Sequence, residues 1–228
     1  MLIVLNHKMN LNIDEIKEYE KNIREYDLVV MPQTPYMGLF TNGKYTLGSQ
    51  CISEYTATGG VSAVSLVGMN VKYVLVGHFE RRSILKDTDD VIVKKVTEAL
   101  SNNIIPIMCI GEESNETHNE FEEMTKQIKN VFDNLSLALD KIIIAYEPGW
   151  NIGGESLPTS EKIINAVAFI KEYILNNYNV NIKVLYGGGI NPDNIDSIKD
   201  LDIIDGVIIG NASLSIDNVT TLYRKIKK

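Results

Sequence analysis

KIIIAYEPGWNIGGESLPTSEKIINAVAFIKEYILNNYNVNIKVLYGGGI, residues 141–190, holds two apolar runs, KIIIAY (141–146) and IKVLYG (182–187), on either side of SEKIINAVAFIKEYILNNY (160–178). In the middle segment apolar residues recur at three- and four-residue intervals, which predicts an amphipathic helix. The flanking runs are near-continuous in Val, Ile and Leu. That pattern fits strands covered by helices on one side and filled by a packed interior on the other. Strand, helix and strand in this order predict a parallel sheet.

The same alternation runs through the chain. Further apolar runs occur at LIVLN (2–6), DLVVM (27–31), YTLGSQ (45–50), YVLVG (73–77), IIPIMCI (104–110) and DGVIIG (205–210), with amphipathic stretches at 14–26, 89–102, 119–135 and 215–227. The second and third units are weakest, because PQTPYMGLF and residues 51–70 give poor helical patterns. Eight units without a Pro/Ser-rich linker predict an α/β chain folded as a single-domain (β/α)8 barrel over residues 1–228, in preference to an open doubly wound sheet. Chemistry then belongs at the C-terminal ends of the strands.

Bulk properties narrow the partners. With 44% hydrophobic and 23% charged residues the chain reads as an ordinary globular protein. Its net charge of −8 disfavours nucleic acid and anionic membranes, both of which need a basic face. A small anionic substrate remains open, since backbone N–H groups and one lysine suffice to hold it. Cys51 and Cys109 lack disulfide or metal-ligand spacing, so no metal site is expected and a cytoplasmic location fits. MLIVLNHKMN is too short for a signal sequence, and no 18-residue apolar stretch follows, so no membrane span is expected.

The strand ends carry the candidate site. Asn6 and Lys8 are two apart, so on a strand both face the barrel mouth while His7 faces the helices. Taken alone, Lys8 reads as a lysine that snorkels or pairs with an internal acid. His78 follows a strand and opens a possible helical turn; a helix N-terminus facing its ring would favour a neutral imidazole able to donate a hydrogen bond. Glu147 ends its strand too, and by itself reads as half of an ion pair with Lys8 or Arg81. YGGGI (186–190) and DGVIIGNASL (205–214) look like anion cradles, the second opening a helix whose N-terminus attracts phosphate. Five strand ends thus bring a lysine, a histidine, a carboxylate and two backbone nests to one mouth.

NHKMN, YVLVGHFERR, MCIGE, AYEPGWNIGG, YGGGI and DGVIIGNASL, in this order and spacing, resemble the triosephosphate isomerase family over nearly the whole chain. The resemblance implies a TIM barrel that interconverts dihydroxyacetone phosphate and glyceraldehyde 3-phosphate without metal or organic cofactor. It implies Glu147 as general base, His78 as neutral electrophile, Lys8 as the cation that stabilises the enediolate, and Asn6 as a donor to substrate oxygen. Glu80 corresponds to an acid near the lysine, and Gly153, Gly189, Gly210 and Asn211 to phosphate binders. Cys109 corresponds to a buried packing cysteine. The loop 51–60, with Thr58 and Gly59 matching the family's TG pair and Gly60 replacing its glutamate, implies a homodimer.

Departures from the family pattern cluster around the lid, roughly residues 148–158. Phe79 replaces a serine, His7 a tryptophan, Gly149 a valine, Gly189 the serine of YGGS and Asn211 a glycine whose loss could crowd the phosphate. The family latches its lid through the tyrosine and serine of YGGS onto loop N–H groups; here the hydroxyl is missing, Glu155 and Pro158 sit in the loop, and Pro158 has no N–H. A different latch, or looser closure, is expected. Gly149 and Gly189 would make room for a larger ketose phosphate, such as a four-carbon erythrulose phosphate, which keeps a paralogous isomerase as an alternative. A non-catalytic sugar-phosphate sensor is a third reading, and retention of Asn6, Lys8, His78 and Glu147 together speaks against it. His118 is expected to be a solvated helix residue.

Overall fold

All eight apolar runs form strands in the computed structural model, which describes residues 1–114, 120–136 and 139–227. In chain order they are β1 (Leu2–Asn6), β2 (Val29–Met31), β3 (Thr46–Ser49), β4 (Tyr73–Val76), β5 (Ile105–Ile110), β6 (Ile143–Tyr146), β7 (Lys183–Gly187) and β8 (Gly206–Ile209). Each pairs in parallel with its sequence neighbours. β8 also pairs with β1, Gly206 against Leu2 through Ile209 against Leu5, which closes the sheet into a TIM barrel. Closure removes the exposed edges that an open sheet must protect.

Seven α-helices connect the strands among the described residues: α1 (Ile13–Ile23), α2 (Ala63–Gly68), α3 (Phe79–Ser83), α4 (Asp89–Ser101), α5 (Glu120–Phe132), α6 (Ser160–Tyr178) and α7 (Ile216–Ile226). Local side chains set their starts. Asn12 accepts the N–H groups of Asp14 and Glu15 while the Glu15 carboxylate accepts the N–H of Asn12, and Thr88, Thr159 and Ser215 cap α4, α6 and α7. The expectation of a helix in every unit holds only in part. The β2–β3 connection is a 3-10 turn, Thr34–Leu39, where Pro35 removes a donor near the start and Gly38 weakens the end; β7–β8 carries a 3-10 turn at Ile195–Ser197, and α2 is six residues long. His118 lies outside the described residues. Among the described residues no helix is long and apolar enough to cross a membrane.

Two apolar layers fill the molecule. Val4, Met31, Leu75, Ile107, Cys109, Ala145, Leu185 and Ile208 pack inside the barrel. Ile3, Leu5, Val30, Val76, Met108, Ile144 and Val207 face outward, in one cluster with helix residues such as Ile16, Val96, Ile128 and Ile170. Side chains on a strand alternate, so the inward set runs on to Asn6 and Gly187 at the ends of their strands and to Glu147 and Gly210 just past theirs. On β4 the same count would turn Gly77 inward and His78 outward. Gly77 adopts φ +71, a left-handed conformation open to glycine at low cost, and the chain turns so that His78 meets the mouth.

Candidate active site

β1 ends at Asn6, so Lys8 is not on a strand as its spacing predicts. Its backbone is left-handed, φ +50, which costs a lysine about 1–2 kcal/mol. The turn is held from both sides. The Lys8 N–H donates to Asn6 Oδ1 at 3.1 Å, and the Lys8 carbonyl accepts from Gln50 Nε2 at 2.8 Å, which also donates to the Met31 carbonyl at 2.9 Å. The side chain enters the mouth with Nζ 2.5 Å from Glu80 Oε1, so the acid that pairs with Lys8 is Glu80, whose side chain is partly exposed and not internal as expected. His7 points the other way, fully buried and edge-on to the Tyr19 ring at 4.5 Å. Neither ring nitrogen has a partner among the described residues, and burial lowers its pKa to about 3.

His78 caps α3. Its Nδ1 accepts the N–H of Glu80 at 3.2 Å, so the proton of a neutral ring sits on Nε2. That nitrogen lies 3.7 Å from Glu147 Oε1. Glu147 is buried and makes no ion pair with Lys8 or Arg81 among the described residues; Arg81 is held by Asp87 at 2.7 Å. Glu147 Oε2 instead faces the backbone N–H of Phe79 at 3.5 Å. Beside it Cys109 is fully buried, and burial, then the charge of Glu147, push its thiol up.

These groups share one cleft. Asn6, Lys8, His78 and Glu147 line it together with Ile152, Gly153, Gly154, Gly188, Gly189, Gly210 and Asn211. Its cavity volume is about 40 Å³, far below the roughly 300–1,000 Å³ of drug-sized ligand pockets, which leaves no room for a dinucleotide. Glu80 does not line the cleft and meets it through Lys8 and through His78 Nδ1, which lies 3.8 Å from its Oε2. After β8 the chain forms a 3-10 turn, Asn211–Leu214, and α7 begins at Ile216, so the helix macrodipole expected at Gly210 contributes little. The Asn211 amide donates to the Gly153 carbonyl at 3.4 Å, and both residues line the cleft.

Two lid departures prove complementary to their surroundings. The Phe79 ring occupies the space that a side chain on Gly149 would need, and the Ser156 carbonyl occupies the space beside Gly189. The room that these glycines were expected to give a larger substrate is therefore filled. Sequence reasoning missed Gln50 and Glu112. Gln50, which fixes Lys8, gave no signal beyond its place after β3. Glu112 ends the run MCIGE and was visible as a strand-end acid. It is fully buried, accepts from Tyr146 Oη at 3.1 Å and Trp150 Nε1 at 3.0 Å, and its carbonyl accepts the N–H of Gly149, which fixes the first hinge of the lid.

Fold and cleft together define a class: TIM-barrel proteins with a carboxylate, an imidazole and an ammonium group facing a glycine-rich lip at the C-terminal mouth. The family model of triosephosphate isomerase matches residues 1–226. Proteins named triosephosphate isomerase are similar along nearly the whole chain: one from Buchnera aphidicola subsp. Baizongia pistaciae (strain Bp) is 35% identical over 95% of each chain, one from Orientia tsutsugamushi (strain Ikeda) 32% over 99% of this chain and 98% of its own, and one from Mesomycoplasma hyorhinis 33% over 95% and 84%. The chain belongs to the triosephosphate isomerase family.

Proposed function

We propose that the protein interconverts dihydroxyacetone phosphate and glyceraldehyde 3-phosphate. The observation that carries this reading is the placement of Glu147 Oε1 and His78 Nε2 3.7 Å apart in the cleft that Lys8 also lines. Glu147 takes the proton from the carbon beside the carbonyl; the electron pair forms the carbon–carbon double bond, and negative charge gathers on the former carbonyl oxygen. His78 donates from Nε2 to that oxygen, Lys8 balances its charge, and Asn6, whose Oδ1 is already engaged by Lys8 N–H, presents its amide N–H. The former carbonyl oxygen takes the Nε2 proton of His78, the neighbouring hydroxyl gives its own proton to the ring in exchange and becomes the new carbonyl, and Glu147 returns the first proton to the former carbonyl carbon. General-base assistance contributes about 10²–10⁴-fold, so electrostatic stabilisation by His78 and Lys8 supplies much of the rest. The phosphate sits against Gly153, Gly189, Gly210 and Asn211, and the lid excludes water.

Filled space beside Gly149 and Gly189 favours the three-carbon substrate over a four-carbon one. The protein is further proposed to act as a homodimer through the loop around Thr58, a reading supported by exposed Tyr55, Val64, Ile84 and Leu85. Assays with triose and tetrose phosphates, beside Glu147→Gln, test the function. Rapid triose turnover lost in the variant supports it; tetrose preference, or binding without turnover, overturns it.

A further inference from the structure

The lid is tied down by amide side chains. Asn191 donates from Nδ2 to the Glu155 carbonyl at 2.9 Å, and Asn194 donates to the same oxygen at 3.4 Å and to the Gly189 carbonyl at 2.7 Å. The oxygens of these amides have a separate task. Asn191 Oδ1 accepts the N–H groups of Asp193 and Asn194, at 2.9 and 3.1 Å, and Asn194 Oδ1 accepts the N–H of Asn191 at 2.9 Å. Each oxygen folds the turn after β7, which leaves Asn191 Nδ2 aimed at the lid, while Asn194 Nδ2 makes its shorter bond to Gly189 within the turn and its longer one to the lid. Side chains ordered in this way lose little rotamer freedom when the lid docks.

The polarity of the contact follows from the sequence. Gly189 has no hydroxyl and Pro158 no N–H, so each of the two N–H donations of the family's latch lacks one partner. Here the lid accepts instead, through the Glu155 carbonyl, and the Ser156 carbonyl takes the space a side chain on Gly189 would fill. We propose that Asn191 and Asn194 are positioning residues that hold the lid closed over substrate through the Glu155 carbonyl. This rests on the isomerase reading above, but its test does not depend on turnover.

Trp150 is the single tryptophan of the chain, and it stands in the first turn of the lid, Gly149–Asn151. Its fluorescence reports lid motion with glycerol 3-phosphate, an unreactive probe, in the cleft. Asn191→Asp and Asn194→Asp keep the oxygens that fold the turn and remove the donors; Asn191→Ser, which also retains an oxygen, serves if an aspartate is poorly tolerated. Each is expected to keep the thermal midpoint of the parent and to speed lid opening, read by temperature jump, by roughly fivefold. With triose phosphate each should release more inorganic phosphate per isomerisation, because an enediolate left open to water breaks its C–O bond and expels phosphate. Opening rates equal to the parent's overturn the latch. So does faster opening in Asn191→Ala and Asn194→Ala alone, which would assign these residues to folding their own turn, and so does a parent Trp150 signal that glycerol 3-phosphate does not change. Faster opening in the aspartate variants of a chain that fails to isomerise trioses keeps the latch and sinks the isomerase reading.

Discussion

The ring of Phe79 packs into the space that a Cβ on Gly149 would need, so one residue after His78 and one in the lid hinge are matched in size. Gly149→Val alone is expected to overpack this contact and cost about 1–3 kcal/mol. Adding Phe79→Ser should recover most of it, with a coupling of about 0.5–3 kcal/mol. Denaturant midpoints of both single variants and the pair measure this; simple additivity would show the two sites to be independent.

Glu147→Gln preserves shape and removes the proton acceptor. The proposed mechanism requires kcat for triose phosphate to fall by about 10²–10⁴ with little change in KM. His78→Gln, which removes an aligned donor, should cost about 10²–10³ in kcat. Steady-state assays in both directions decide, and a fully active Glu147→Gln would end the assignment of Glu147 as base.

Gln50 ties the Lys8 carbonyl to the Met31 carbonyl, and with the Asn6 oxygen holds the lysine left-handed. Gln50→Ala leaves Lys8 in place chemically but loosens its aim. A loss of about tenfold in kcat/KM is expected, on the scale of one or two lost hydrogen bonds. Lys8→Gly at the same backbone conformation would abolish the charge altogether, so the two variants separate aim from charge.

Burial holds the His7 pKa at about 3 against an ordinary 6.5. Above pH 6.5 folded and unfolded chains are both neutral there, and the group adds no pH dependence. Below it the unfolded chain takes up a proton that the folded one refuses, so stability falls by about 1.4 kcal/mol per pH unit down to about pH 3. Between pH 6.5 and 4.5 the parent should lose about 2 kcal/mol more than His7→Phe, read from urea unfolding. Parallel pH profiles would refute the buried neutral ring.

The barrel was legible because its signal is periodic. Eight apolar runs and their spacing survive errors of two or three residues at each end, as where DLVVM became Val29–Met31. What the sequence hid depends on single backbone angles and on contacts far apart along the chain. Period-two counting fails at Gly77, whose positive φ re-aims His78; at Lys8 the expected facing holds, but a left-handed turn and not a strand produces it. Phe79 and Gly149 were each visible as departures, but their fit required two distant segments to be brought together. The exchange of a donating lid for an accepting one was foreshadowed only as an absence, in Gly189 and Pro158; Asn191 and Asn194 carried no pattern of their own.

Cys109 supplies the floor beside the carboxylate, and its burial has a chemical side. A thiol kept protonated and out of contact with solvent is a poor target for peroxide or alkylating reagents, while Cys51 is partly exposed and would react first. The sulfur beside Glu147 is thereby shielded, and oxidative damage to this molecule should begin at its rim and reach the floor of the cleft last.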